Sequence, residues 1–512
     1  MTTNAASVNA DITALLRARH TLLWITTLDE LRVERALVTA CADARFITRF
    51  WDCATGITDD VGNVISALQD PIAALDYIAN RKERAVYVLR DLHAWLSPDV
   101  ARKLRSLARV LQGTDPAETR SLVLLTPRGD KASELPEATL IEYPLPDRAE
   151  VARILDDVIG ALPEKLRANA APNGTRDAAI DGALGLSALQ ITNSYGRSLV
   201  TSLKVDPALV TNEKKRVVAG IPGVTWYDPD PRGLDAIGGC GELKKWCLQR
   251  RAAFSPRARE YGLPTPKGVV LVGPPGTGKS LTAKCVGTAF RMPVLRLDLG
   301  GLKSKFVGES EGNVRRALAL AETVAPCVVW IDEIEKAMAG ATGAQGDGGV
   351  SADALGAFLS WMQEKTAPVF VIATANDVSG LPPELLRKGR FDELFFVDLP
   401  TTSERAEIMA ASLKANNRDP DTIDLGLVAR STEGFVGAEI AALVPDALFM
   451  AFADEEREIT SADLVMAARN VVPLSKTAAE KINALREWAK TRARFASTPE
   501  VQSTNTGRVL DL

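Results

Sequence analysis

Gly273-Pro274-Pro275-Gly276-Thr277-Gly278-Lys279-Ser280 has the spacing of a phosphate-cradling loop: two glycines separated by four residues, then a lysine and a hydroxyl. The apolar run Val269 to Val272 precedes it and a helical pattern from Leu281 to Phe290 follows. That strand–loop–helix context is what the chemistry requires, because backbone N–H groups and a helix N-terminus together attract a phosphate chain. Pro275, Gly276, Thr277, Gly278, Lys279, Ser280 and Leu281 are therefore expected to wrap a triphosphate, with ATP as substrate and Mg2+ as cofactor. Lys279 is expected to reach the β- and γ-phosphates and Ser280 to hold the metal.

A second element must bring carboxylates to that loop. Val328-Val329-Trp330-Ile331-Asp332-Glu333 is an apolar strand ending in two acids. Parallel strands present their C-terminal ends to the ligand crevice. Asp332 is then placed to bind magnesium, directly or through water, and Glu333 to activate the attacking water. A third apolar strand, Val369 to Thr374, leads into Ala375-Asn376. An amide there could place the lytic water near the γ-phosphate, although an asparagine at a strand end is also a common turn former.

The elements that carry these residues imply an α/β chain. Its 512 residues correspond to about three compact units. Residues 12–155 alternate buried strands, at 22–26, 86–89 and 122–125, with amphipathic stretches, which predicts a parallel sheet covered on both faces. We divide the chain into an N-terminal domain over 1–205, a Pro/Gly-punctuated linker over 206–233, an α/β domain over 234–400, a helical domain over 401–495 and a disordered tail over 496–512. Leu145-Pro146 and Leu399-Pro400 are each followed by a glutamate four positions after the proline, between a strand and a helix, which suggests an internal duplication.

The composition narrows the class. A net charge of −4 with no strongly basic half does not advertise a duplex-DNA surface. Six cysteines without a close C-x-x-C pair, and only His20 and His93, argue against a zinc site and for reduced thiols in a cytoplasmic protein. No window approaches ~18–20 unbroken apolar residues and the N-terminus has no export pattern, so no membrane partner is expected.

Taken in order, Asp235-Ala236-Ile237-Gly238-Gly239, the phosphate loop, Lys305 to Ser310, Ile331-Asp332-Glu333, Ala375-Asn376, Leu386 to Asp392 and Gly434 to Glu439 resemble the AAA ATPases. The resemblance covers about half the chain. Trp51-Asp52, Leu89-Arg90-Asp91 and the segment from Pro473 to Arg494 resemble more narrowly a poorly characterised branch known from cyanobacteria and chloroplasts. The implied fold is a P-loop NTPase parallel sheet with a C-terminal helical lid, preceded by a degenerate AAA-like domain. That domain has Thr26 to Glu30 where a phosphate loop would stand, and lacks the second carboxylate after Asp91.

The resemblance also implies roles. Arg387 and Arg390 are similar to paired arginine fingers that enter a neighbouring subunit's site, which implies a homo-oligomer, most often a hexamer. Ile237 and Gly238 resemble the adenine-contacting segment, and Gly437 and Ala438 the lid position over the nucleotide. Phe306 and Val307 resemble a pore loop that grips polypeptide, the reading favoured here over a phenylalanine that simply packs in a core. Gly340 to Gly349 would be a second pore loop, without the arginines often found in it. The leading expectation is an ATP-driven remodeller of a protein partner. An ATP-controlled assembly switch or scaffold is the alternative, and a nucleic-acid motor is the least favoured.

Overall fold

A computed structural model of the protein describes residues 4–127, 133–172, 174–220, 223–302, 309–338, 348–382, 384–385, 387 and 389–498. The chain forms two compact units, Met1–Lys214 and Lys215–Leu512. In the first, the strands are β1 (Leu22–Thr26), β2 (Ile47–Asp52), β3 (Gly56–Thr58), β4 (Val64–Ser66), β5 (Ala85–Arg90), β6 (Arg120–Thr126) and β7 (Thr139–Glu142). They lie in the order β4-β3-β2-β5-β6-β1-β7. The five strands from β2 to β7 across the sheet are parallel, and β3 and β4 add an antiparallel edge beyond the parallel sheet that the sequence predicts.

Period-2 alternation explains why these strands read as unbroken apolar runs. Leu22, Trp24, Tyr87, Leu89, Leu122 and Leu124 face one core with helices Pro71–Asn80 and Pro98–Gln112. Their neighbours Leu23, Ile25, Val86, Val88, Val123 and Leu125 face the other, with helices Ala5–Arg17 and Glu30–Asp43. Both faces are covered, so nearly every strand residue is apolar.

The second unit holds β8 (Val224–Tyr227), β9 (Gly268–Val272), β10 (Val294–Leu297), β11 (Cys327–Ile331), β12 (Val369–Ala375), β13 (Glu393–Phe396) and β14 (Arg494–Phe495), in the order β14-β13-β9-β12-β11-β10-β8. Numbering only the shared parallel strands along the chain, each unit reads fifth, first, fourth, third, second. The registers coincide as well. Thr26 pairs with Thr126 and Glu142, and Val272 pairs with Ala375 and Phe396. Counting on from there aligns Asp147 with Thr401 and Glu150 with Glu404. Each pair is a capping box, with reciprocal side chain to backbone bonds at the start of helices Arg148–Gly160 and Thr402–Ala415. The repeated Leu-Pro signature is thus a repeated helix start.

Two boundaries differ from the sequence reading. The stretch 206–233 contains helix Pro207–Ala219 and β8, which pairs antiparallel with β10 and buries Val224 in the core. Four strand residues between turn formers are too short a run to stand out. The helical lid is built by Thr402–Ala415, Leu425–Ser431, Gly437–Ala453 and Ser461–Arg469. Beyond it the chain returns to the sheet. Helix Ala479–Arg492 buries Leu485 and Ala489 in the core of the α/β part, β14 extends the sheet beside β13, and Ala496 is buried. Residues 479–496 therefore pack with the α/β part, not the lid. The tail positions 499–512 and the centre of the expected second pore loop, 339–347, lie outside the described residues.

The capping boxes give a stability test. Asp147→Ala and Thr401→Ala should each cost about 1 kcal/mol, read from urea unfolding of the full chain, because each leaves helix N–H groups without their acceptor.

Candidate functional site

Strand β9 delivers the loop 273–278 directly to helix Lys279–Phe290. The loop turns through positive φ at Gly276 (+79°) and Gly278 (+87°), a region that suits glycine. Gly276 also has no room for a side chain: a Cβ there would stand 2.8 Å from Val436, at the start of lid helix Gly437–Ala453. Its carbonyl accepts the Ala438 N–H at 2.8 Å, so the lid closes on the loop backbone.

The predicted residues converge. One cavity of about 510 Å3 is lined by Ile237, Gly238, the run Pro275 to Leu281, Asp332, Glu333, Asn376, Gly437 and Ala438. Gly238 is pressed against the lid, since a Cβ there would meet Ile408 Cγ1 at 2.4 Å. The next two backbone N–H groups donate to lid carboxylates, Gly239 to Glu407 at 2.8 Å and Cys240 to Glu404 at 3.0 Å. These bonds fix the segment that would face a nucleotide base.

Lys279 is buried, and its Nζ donates to the carbonyls of Gly273 (2.8 Å) and Pro274 (2.6 Å). Burial pushes its ammonium down to about 8, against the opposing pull of Glu335, Asp332 and Glu333. A phosphate beside it would favour the charged form. Ser280 Oγ donates to Asp332 Oδ1 at 3.0 Å. A hydroxyl and a carboxylate in contact are hard oxygen donors, and they fit a magnesium ion that takes its remaining ligands from phosphate and water. Among the described residues no larger cluster of metal-binding side chains exists. Glu333 Oε1 accepts from Asn376 Nδ2 at 3.0 Å, which joins the ends of β11 and β12.

The two arginines are not in this cavity. Arg387 is exposed, and Arg390 donates to its own chain's Glu384 carbonyl; neither lines the pocket. Phe306 and Val307 lie outside the described residues. The cavity also takes in residues that sequence reasoning missed. Ile408, Ala411, Ser412 and Ala415 line it from one lid helix. Their i, i+3, i+4, i+7 spacing is a signal that could have found them. Arg232 and Thr374 carried no such pattern.

The first unit shows what the same scaffold does without the motif. Its register places Arg90 where Asp332 stands and Asp91 where Glu333 stands, so the carboxylate it lacks is the first of the pair and not, as the sequence reading has it, the one after Asp91; Asp91 and Glu333 both have left-handed backbone, φ +50° and +49°. Arg90 is tied to Glu34 and, at 3.1 Å, to Asp52. A guanidinium thus occupies the metal-side position. The turn after β1 is only three residues long, and the buried Asp29 carboxylate in it accepts the Ala188 N–H at 2.7 Å. Ala188 begins helix Ala188–Ser202, as Gly437 begins its lid helix. The unit thus supplies its own cation and anion at these two positions.

Residues 269–399 match the family model described as ATPase family associated with various cellular activities (AAA), and 422–466 match the AAA+ lid domain. Residues 8–142 match the N-terminal domain of SpoVK-like AAA ATPases. An uncharacterized AAA domain-containing protein ycf46 of Guillardia theta is 36% identical over 95% of this chain and 96% of its own. The ycf46 protein of Trieres chinensis is 33% identical over 96% and 99%. The peroxisomal ATPase pex6 of Schizosaccharomyces pombe is 33% identical over 51% of this chain and 28% of its own.

Equilibrium dialysis with labelled ATP and Mg2+ should saturate at a single nucleotide per chain. Lys279→Ala should abolish that binding, while Arg90→Ala should leave the stoichiometry unchanged.

Proposed function

Given that this chain belongs to the AAA family of ATPases, in the ycf46-type branch, and is an ATP-hydrolysing enzyme, we propose that it acts as a homo-oligomer, six copies in a ring or spiral, that remodels a protein partner. The observation that carries this reading is the position of Arg387 and Arg390 outside their own nucleotide cavity. Cleaving a γ-phosphate builds charge that a guanidinium stabilises, an effect worth about 10³-fold or more in related enzymes. Among the described residues the cations around the phosphate end are already engaged within the chain, Lys279 with loop carbonyls, Arg232 with Asp230, Arg296 near Asp332 and Lys336 with Glu333, so we assign the guanidinium that the reaction needs to a second copy.

Within one subunit the geometry supports the following roles. The loop backbone and Lys279 hold the phosphates. Ser280 and Asp332 would hold magnesium, which draws charge from the phosphate oxygens when bound. Glu333 takes the proton of the attacking water, and Asn376 holds that carboxylate in place at 3.0 Å. The lid, bonded to the loop through Ala438 and to the base segment through Glu404 and Glu407, converts the presence of nucleotide into lid orientation. Phe306 and Val307 then pass that motion to an extended polypeptide.

Glu333→Gln should retain ATP and lose turnover, and Arg390→Ala should also lose turnover. Mixing the two inactive proteins should restore part of the rate, because an Arg390→Ala subunit keeps its base and borrows the arginine of a Glu333→Gln neighbour. No recovery on mixing counts against a shared site. Phe306→Ala should keep ATP hydrolysis and lose partner remodelling; remodelling retained in that variant would instead favour the assembly switch.

A further inference from the structure

We propose that Thr374 is a positioning residue for hydrolysis, whose hydroxyl locks the backbone of Glu333 to the metal-side carboxylate and so sets where the base stands. The inference rests on Glu333 being the base.

Strand β12 reads Val-Phe-Val-Ile-Ala-Thr-Ala, and every residue of it is buried. Thr374 is its single polar side chain, with 1% of its surface exposed. A hydroxyl in such a place must find partners inside the protein. Thr374 finds one for each of its roles. Its Oγ1 donates to Asp332 Oδ1 at 2.7 Å and accepts the Glu333 N–H at 3.0 Å.

Those two partners are the residues whose relative placement matters most. Asp332 Oδ1 also accepts from Ser280 Oγ at 3.0 Å, so the hydroxyl joins a chain that begins on the phosphate-loop helix. Glu333 has φ +49°, a conformation that non-glycine residues resist and keep only where surrounding bonds impose it. The Thr374 bond to its N–H is such a bond. It turns the Glu333 side chain off the line of β11 and toward Asn376.

The same strand then holds the other end. Asn376 lies two residues beyond Thr374, and alternate residues of an extended chain share a face. Its Nδ2 reaches Glu333 Oε1 at 3.0 Å, and its own N–H donates to the buried Glu335 Oε1 at 3.0 Å. Glu333 is thus gripped at its backbone by Thr374 and at its carboxylate by Asn376. Removing the first grip leaves the carboxylate held by Asn376 and by Lys336, whose Nζ lies 2.6 Å from Oε2, but on a backbone turn that has lost the bond supporting it. Thr374 touches no reacting atom in this scheme; it acts through Asp332 and Glu333.

Thr374→Val tests this, because valine keeps the shape and β-branching and removes only the hydroxyl. In the full chain its kcat should fall about 10- to 100-fold, the effect of misplacing a catalytic group by about 1 Å. Affinity for a fluorescent ATP analogue at saturating magnesium, and the thermal unfolding midpoint, should stay close to the wild-type values. Thr374→Ser, which restores the hydroxyl, should recover most of the rate. Turnover of Thr374→Val at the wild-type level would overturn the inference, as would a serine variant no better than valine. A loss of nucleotide affinity or of unfolding midpoint that accounts for the lost rate would also overturn it, since the residue would then be structural. Glu333→Gln separates the two readings. If that variant turns over normally, the base assignment falls and this inference with it. If it is inactive while Thr374→Val is fully active, only the Thr374 inference falls.

Discussion

Strand β12 lies between β9 and β11 with both neighbours parallel to it, so three strands that are far apart in the chain end side by side. The pairing of Ala375 with Val272 puts the start of the phosphate loop beside Asn376, and the pairing of Ile331 with Ala373 puts Asp332 and Glu333 on its other flank. The contacts among Ser280, Asp332, Thr374, Glu333 and Asn376 follow from that register. Ser280 meets Asp332 because the loop has turned by then into a helix over β11's end, and Asn376 meets Glu333 because β12 runs slightly longer than β11.

The two units show how little of this scaffold is committed to chemistry. Order, register and capping boxes are shared, yet at one matched position a carboxylate stands in one unit and Arg90 in the other. With Glu34 and Asp52 around it, the arginine makes a closed set of charges. Replacing an ion site by internal pairs keeps buried charges partnered, which is the condition for burying them at all. The backbone turn at Asp91 and at Glu333 is the same, so the difference lies in side chains alone.

The sequence made the central strands and the loop easy to read because their signals are local. Four to seven consecutive apolar residues, or a fixed glycine spacing, need no knowledge of partners. Less was legible where the signal is long-range. β8 has four residues and β14 two, and each exists only because a sheet edge lies beside it. Helix Ala479–Arg492 carries many charges and few buried residues, so its return to the α/β part depended on Leu485 and Ala489 finding that core. Thr374 was invisible for a different reason. Threonine is a favourable strand residue anywhere, and only the two bonds to Asp332 and Glu333 distinguish it.

The return of the chain after the lid alters what the lid can do. Had the polypeptide ended with helix Ser461–Arg469, the helical body would hang from the sheet by one connection near Asp398. It is instead threaded back through Leu474, whose N–H donates to Glu439, and Arg486 closes on Asp398 at the point of departure. A body tethered where its chain leaves the sheet and again where it comes back has fewer ways to move than one hung from a single connection, like a shutter on pivots rather than a flag on a pole.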